Sequence, residues 1–328
     1  MTVIVERPGF LTTVQDLGRN GYANVGVSAG GALDRHALRV ANALVGNSHS
    51  TAGLELTYAQ TRLKFSDERL IAWCGGNFDV RIDSHVIAPG EPHVVAANAQ
   101  VVIAAPPGGG RAWLAISGGV DVPLVLGSRS TDLRAGFGGF EGRSLAAGDL
   151  LSLGGHSARS VRLIQRLRQP ERMWRAPAPW SHTGINKPVV LRVMRGAIWE
   201  EFDERSRAVF LSETFLVTAE SDRMGVRFDG PVLTRLKNVD LLSEAVVAGT
   251  IQVPPGGNPM LLLGDCQTIG GYPKFAHVIT LDLAIAAQLM SGDVVRFRES
   301  SLTEAHEFLC SRENEFQRFQ VGVELLAS

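Results

Sequence analysis

Between Ser221 and Lys274 the chain gathers side chains suited to chemistry on a small polar molecule. They fall in four clusters: Ser221-Asp222-Arg223-Met224-Gly225, Ser243-Glu244, Gly249-Thr250-Ile251-Gln252-Val253-Pro254 and Gln267-Thr268-Ile269-Gly270-Gly271-Tyr272-Pro273-Lys274. Asp265, Gln267 and Lys274 interrupt strand-like sequence after the apolar run Met260-Leu261-Leu262-Leu263. A Gly-Gly-Tyr-Pro turn fixes the backbone and aims the next side chain, Lys274, in a set direction. An ammonium beside an aspartate, a glutamate and a glutamine suits a substrate bearing a carboxylate or an amide oxygen. Lysine can stabilise a developing oxyanion, and a carboxylate can take a proton. By chemistry alone the same residues also read as an edge strand with a solvated lysine beside a proline-ended turn.

Other motifs carry less. Gly26-Val27-Ser28-Ala29-Gly30 matches the G-x-S-x-G of serine hydrolases, which needs a strand before it and a helix directly after. Here the helix signal starts only at Asp34, so a glycine-rich loop is the better reading. Gly127–Arg143 holds Arg129, Arg134 and Arg143 among glycines and reads equally as an anion-approaching loop or a surface turn. The spacing of its glycines does not fit a dinucleotide loop, and no Walker A sequence occurs. The eight histidines form no H-x-H or HExxH pair, so a metal site is not expected.

The elements that must position these residues are mostly short strands, in runs of four to eight residues broken by Gly, Pro, Asn or Asp. Val3–Glu6, Arg62–Phe65, Leu70–Trp73, Phe78–Ile82, Val101–Ala104, Trp113–Ile116, Leu150–Leu153, Val189–Val193, Thr214–Val217, Gly225–Phe228, Met260–Leu263 and Val294–Phe297 are the predicted strands. Helical spacing predicts Asp34–Leu44 with Asp34 as N-cap, a short alanine-rich Asp282–Met290, and a C-terminal Thr303–Phe319 with Phe308, Leu309, Phe316 and Phe319 near one side. Without helix–strand alternation a doubly wound sheet is not expected, and an all-β pair of barrels or sandwiches fits.

The chain also repeats itself. Val3-Ile4-Val5-Glu6-Arg7-Pro8-Gly9 is echoed by Val190-Leu191-Arg192-Val193-Met194-Arg195-Gly196, Pro106-Pro107-Gly108-Gly109 by Pro254-Pro255-Gly256-Gly257, and Gly148-Asp149 by Gly292-Asp293. Gly9 and Asp34-Arg35 are 25 positions apart, Gly196 and Asp222-Arg223 26. A duplicated domain follows, with residues 1–166 as a first repeat carrying an insertion, 167–188 as a proline- and arginine-rich connection, 189–299 as a second repeat and 300–328 as a helical tail.

A net charge of −1 and scattered basic residues give no case for nucleic acid. No apolar run approaches the ~18 residues of a membrane span. Three distant cysteines, Cys74, Cys266 and Cys310, make no disulfide framework, which reads as a cytoplasmic protein with reduced thiols.

Three segments carry a resemblance. Pro8-Gly9-Phe10-Leu11-Thr12-Thr13-Val14-Gln15-Asp16-Leu17-Gly18-Arg19, Gly127-Ser128-Arg129-Ser130-Thr131-Asp132-Leu133 and Gln267–Lys274 resemble a family known under several names: the C subunit of 5-oxoprolinase, allophanate hydrolase subunit 2, or biotin-dependent carboxyltransferase. The Kip antagonist of sporulation control belongs to the same family. The resemblance runs from about Val3 to Arg298. It implies two cyclophilin-like β-barrels and a hetero-oligomer with a B subunit (Kip inhibitor-like) and a lactamase-like A subunit. It implies an ATP-dependent opening of 5-oxoproline to glutamate, with the ATP site outside this chain. A second implied activity is carboxyl transfer from carboxybiotin to an amide nitrogen, with biotin on a separate carrier; a third is a non-enzymatic regulator. Lys274, Asp222, Glu244, Gln267 and Tyr272 are the positions carried over, with Arg223 beside them. Lys274 is assigned to a carboxylate or oxyanion, Gln267, Tyr272 and Arg223 to substrate contact, and Asp222 or Glu244 to proton acceptance. Two positions depart from the family pattern: Cys266 stands where relatives usually have arginine, and Ser28 where they often have proline.

Overall fold

The computed structural model describes residues 1–58, 60–107, 110–169, 174–181, 187–237 and 241–327. Parts of the predicted connection, 170–173 and 182–186, and the Gly108-Gly109 pair lie outside the described residues. Strands dominate, and each one predicted from an apolar run is present. The structure adds Leu11–Gln15, Gly53–Thr57, Thr250–Gln252, Lys274–Val278 and the short strands His85–Val86, His93–Val95, Glu244–Ala245 and Ile269–Gly270. The first three escaped the pattern because they bury polar side chains, among them Thr13, Gln15, Glu55 and Gln252, so hydrophobic alternation does not mark them.

Backbone packing groups the chain into two units. One comprises Met1–Arg19, Gly30–Gly184 and Glu313–Ser328, the other Asn20–Ala29 and Ile185–Arg312. In the first unit one sheet runs in the order Leu150–Ser152, Thr2–Pro8, Gln60–Phe65, Gln100–Ala104, Asp79–Ile82, His85–Val86. A second sheet runs Leu11–Gln15, Gly53–Thr57, Arg111–Ile116, Arg69–Gly75, His93–Val95. Inward residues of both sheets, such as Val3, Val5, Leu54, Leu63, Trp73 and Leu114, form one apolar core. The helix Arg35–Leu44 starts where predicted, with the Ala37 amide donating to Asp34 Oδ1 at 2.9 Å, and it packs on Arg69–Gly75 and Arg111–Ile116.

In the second unit seven strands close into a barrel: Val189–Arg195, Lys274–Val278, Thr250–Gln252, Met260–Leu262, Gly225–Asp229, Thr214–Val217 and Val294–Glu299. Its interior is aromatic, with Phe275 stacked on Trp199 and Phe210 on Phe297, each at 4.4 Å between ring centres.

Five strands repeat between the units in the same antiparallel order, but not in the register that the opening echo suggests. Ile4 pairs with Leu150 and Lys64; Leu216 pairs with Val294 and Asp229. Val5 exchanges backbone hydrogen bonds with Gly148 and Asp149 as Val217 does with Gly292 and Asp293. Thr2–Pro8 therefore matches Thr214–Val217. The echoing Val189–Arg195 instead runs parallel to Val294–Glu299 and closes the barrel. An alternating apolar run ending at glycine is common to many strands, and its two-residue period does not identify which strand it is. The Gly-Asp marker is the one that survives: Asp149 accepts from the Ala146 amide and Asp293 from the Met290 amide, making the same turn.

Asp282–Met290 resolves into a 3-10 turn, Thr280–Asp282, and one α turn, Leu283–Ala286. The C-terminal helix extends over Leu302–Leu326, burying Phe316 while Phe308 stays partly exposed beneath the Arg192 guanidinium. Among the described residues Ala158–Leu167, Ala178–Ser181 and Glu204–Ser212 are helices that went unpredicted, although Ser157 and Asp203 cap the first and the last as N-cap residues do.

Candidate active site

Lys274, Glu244, Gln267 and Tyr272 come together around a short ribbon beside the barrel. Glu244–Ala245 pairs with Ile269–Gly270 as a two-stranded ribbon, Glu244 opposite Gly270. From the ribbon the chain passes through Gly271-Tyr272-Pro273 into the barrel strand Lys274–Val278, where Lys274 lies opposite Gln252 beside a bulge. The turn aims Lys274 back at the ribbon. Its Nζ meets Glu244 Oε2 at 2.5 Å and donates to the Ala245 carbonyl at 3.4 Å. The Lys274 side chain is 21% exposed and that of Glu244 64%, so the pair is open to solvent on the carboxylate side.

Gln267 and Tyr272 bracket the same ribbon. Gln267 is half-buried, and Tyr272 is exposed beside a cavity of about 470 Å3. Its walls include Val232, Leu233, Leu241, Val253 and Pro254, with Arg235 as the cationic member. A Cβ built on Gly270 would lie 2.9 Å from Gln252 Nε2 and 3.5 Å from Gln267 Nε2, so the first amide crowds that glycine and the second is in ordinary contact range.

Two predicted residues serve the scaffold. Arg223 makes a buried fork with Asp265, Nε to Oδ2 at 2.8 Å and Nη2 to Oδ1 at 3.1 Å, and so anchors the corner leading to Gln267. Asp222 is exposed, and its Oδ1 accepts from the Met224 and Gly225 amides in its own hairpin turn. No hydrogen bond or ion pair joins Asp222 to Lys274 among the described residues. Cys266 packs with Val246 and Leu262, and burial, aided by Asp265, pushes its thiol up to about 11. His277, three residues beyond Lys274, is pushed below the usual histidine value by burial and then by the lysine charge.

Sequence reasoning placed Gln252 in one of the four clusters but gave it no role. It is buried, its Nε2 donates to the Tyr272 carbonyl at 3.3 Å, and its Oε1 has no hydrogen-bond partner. The available signal was a large amide in a short strand between apolar neighbours.

The two first-half segments of the resemblance meet around Asp16. Its Oδ1 accepts from Gly18 N at 2.7 Å and from Ser128 Oγ and Ser130 Oγ, each at 2.6 Å, while Oδ2 accepts from Arg129 N at 2.6 Å. Arg19, also buried, donates to the Ser130 carbonyl at 2.5 Å and lies over the Phe137 ring. Arg129 and Arg143 of the glycine-rich stretch are held by Asp121, Glu141 and Asp149. Gly139 allows that stretch to close, since a Cβ there would fall 1.8 Å from Thr131 Oγ1 at a φ of +53°. Ser28 lies in a loop after the single 3-10 turn Ala23–Val25, not between strand and helix, so the hydrolase elbow is absent.

A seven-strand barrel carrying a lysine–carboxylate pair beside a two-stranded ribbon defines a mainly β-fold protein. The chain belongs to the family described as carboxyltransferase domain, subdomain A and B, whose profile matches residues 25–299. It is 38% identical to the C subunit of 5-oxoprolinase from Escherichia coli (strain K12) over 299 residues, 91% of each chain. Its identity to the 5-oxoprolinase C subunit of Haemophilus influenzae is 34% over 310 residues, 94% of each chain. The crystal structure of the Kluyveromyces lactis urea carboxylase superposes with a TM-score of 0.83 at 29% identity, covering 98% of this chain and 29% of that one. Relatives named as a C subunit belong to multi-subunit enzymes. No helix among the described residues is long and apolar enough to cross a membrane.

Proposed function

We propose that the chain is one component of an ATP-dependent 5-oxoprolinase that hydrolyses 5-oxoproline to glutamate in the cytoplasm. It acts with a B subunit and a lactamase-like A subunit, neither of which is on this chain. The observation that carries this reading is the 38% identity spanning 91% of both this chain and a 5-oxoprolinase C subunit. A lactam is a poor electrophile, and phosphorylation of its carbonyl oxygen by ATP makes it open to water. The nucleotide site belongs to another member of the complex. This chain holds the lactam: Lys274 faces its carboxylate or developing oxyanion, and Gln267 and Tyr272 orient the ring. Of the two candidate bases, Glu244 is assigned the proton, because the Asp222 carboxylate is tied to its own turn.

A second reading, carboxyl transfer to an amide nitrogen, is favoured by the family profile and by the likeness to urea carboxylase. Biotin would then ride on a separate carrier and supply an activated carboxyl group. The cavity of about 470 Å3 beside Tyr272 is large enough for its ring, and Lys274 would hold the carboxylate. Purification of the chain from its native cell through a C-terminal tag separates the two. An unbiotinylated partner pair with 5-oxoproline-dependent ATP hydrolysis supports the first, and a biotinylated partner with no such hydrolysis supports the second. Lys274→Ala is expected to lower kcat/KM of the assembled complex about 100-fold or more. Unchanged activity would remove Lys274 from the site.

A further inference from the structure

We infer that Gln252 is a substrate-binding residue that reads the amide edge of the substrate, accepting its N–H while donating to its carbonyl oxygen. The inference deepens the 5-oxoprolinase reading and rests on it.

The starting point is an unpaired atom. Gln252 is fully buried in the barrel strand Thr250–Gln252, yet its Oε1 accepts no hydrogen bond. A buried acceptor without a donor costs about 1–3 kcal/mol, and native proteins keep few of them. The other end of the amide is fixed: one Nε2 hydrogen goes to the Tyr272 carbonyl at 3.3 Å, within the turn that aims Lys274. The second Nε2 hydrogen remains to donate elsewhere. Gln252 thus offers an acceptor and a donor side by side, locked to the loop that carries Tyr272 and Lys274.

Its location fits a ligand. Gln252 lies opposite Lys274 in the barrel register, and Gln267 Nε2 approaches the same glycine, Gly270. Gln267 is half-buried, whereas Gln252 is buried. Gly270 lies over the amide of Gln252, at the end of a ribbon held by only two residue pairs. Because Gln252 is fully buried, the inference requires that end of the ribbon to lift for a ligand to reach it.

The chemistry selects a narrow class. A glutamine amide pairs two-fold with any group that presents N–H and C=O on one edge. A lactam does so because its ring holds the amide cis, and urea does so by its NH2 group. A trans peptide does not, since its N–H and C=O point opposite ways. Gln252 therefore selects lactams and ureas over ordinary peptides, while Lys274 supplies the charge.

The test uses the assembled complex purified through a tag on this chain, with 5-oxoproline as substrate and the lactone that replaces its N–H by oxygen as competitor. Wild type should bind the lactam at least about tenfold better than the lactone, because a buried acceptor is left unpaired by the lactone. Gln252→Met should erase that preference, raising KM for the lactam by a larger factor than the lactone inhibition constant. Lys274→Met should weaken both ligands alike. Gly270→Ala, which needs no unusual backbone angle, should raise the lactam KM several-fold by pressing a methyl group towards the two amides, and it stands in if Gln252→Met fails to fold. If the preference persists in Gln252→Met, or if the folded Gly270→Ala leaves the lactam KM unmoved, the inference is wrong and the 5-oxoprolinase reading survives. A wild-type complex without 5-oxoproline-dependent ATP hydrolysis removes that reading, and this inference with it.

Discussion

The two units share a five-strand ladder and use polar residues on it in contrasting ways. In the first unit two buried carboxylates are consumed. Asp16 accepts four hydrogen bonds, and Glu55, also buried, accepts from the Leu33 amide at 2.9 Å and the Trp113 indole at 2.8 Å. In the second unit Glu244 is largely exposed and meets a single ammonium, Gln267 is half-buried, and Gln252 keeps an oxygen unpaired. A satisfied network fixes a structure, whereas groups left short of partners can exchange them for a ligand. The first unit also buries an unpaired glutamine oxygen, Gln15 Oε1, so the contrast rests on the solvent-open Lys274–Glu244 pair rather than on unpaired amides, and both units contribute segments to the family resemblance.

Removing the hub of the framework gives the largest expected effect. Asp16→Ala strands four donors, two of them buried serine hydroxyls, and should cost about 3–5 kcal/mol in denaturant unfolding. A loss under about 1 kcal/mol would mean that the first unit is no more committed to structure than the second. The scaffold pair inside the second unit sharpens the contrast. Arg223→Met leaves the Asp265 carboxylate buried without its fork and should cost about 3 kcal/mol, whereas Arg223→Met combined with Asp265→Leu should regain most of that loss. If the double variant is no better than the single, the ion pair does more than hold the corner before Gln267.

At the site itself the expectation reverses. Lys274→Met breaks an ion pair whose carboxylate is 64% exposed, so the stability change should stay under about 1 kcal/mol while the complex loses activity. A large loss of stability would make Lys274 a structural residue like Arg223.

How much of this was legible depends on what each residue obeys. Strands came through wherever one face is apolar, as in Thr2–Pro8 and Val294–Glu299, because period two is local. Leu11–Gln15 and Gly53–Thr57 did not, because they bury polar side chains against partners distant in sequence, such as Thr131, whose carbonyl accepts from Gln15 Nε2. The meeting of Lys274 and Glu244 followed from the Gly-Gly-Tyr-Pro turn, a local constraint on direction. Arg223 could not be told from a ligand residue by sequence. Its fork to Asp265 depends on two strands lying side by side, with Gly225 opposite Leu262. The repeat was visible, but its register was not: Asp34 caps a helix and Asp222 a hairpin, and in both an aspartate accepts from amides just ahead of it.

The smallest effect tests how the barrel wall behind the site responds to acid. His277 sits opposite Thr250 and Met194 in the register, and burial together with the nearby Lys274 charge lowers its pKa below the unfolded value. The unfolded chain then takes up a proton near pH ~6.5 that the folded chain still refuses, so stability is full above that pH and falls as pH drops towards the folded pKa. His93, whose pKa is likewise lowered by burial, contributes the same sign from the first unit. His277→Gln should therefore flatten part of the loss in denaturant midpoint between pH ~7.5 and ~5.5, and adding His93→Gln should flatten it further. Because the lysine charge is one cause of the shift, Lys274→Met should also soften the acid dependence, an effect confined to the second unit. A wild-type midpoint that rises on acidification would reverse the sign, and would require His277 to gain a carboxylate partner when it becomes charged.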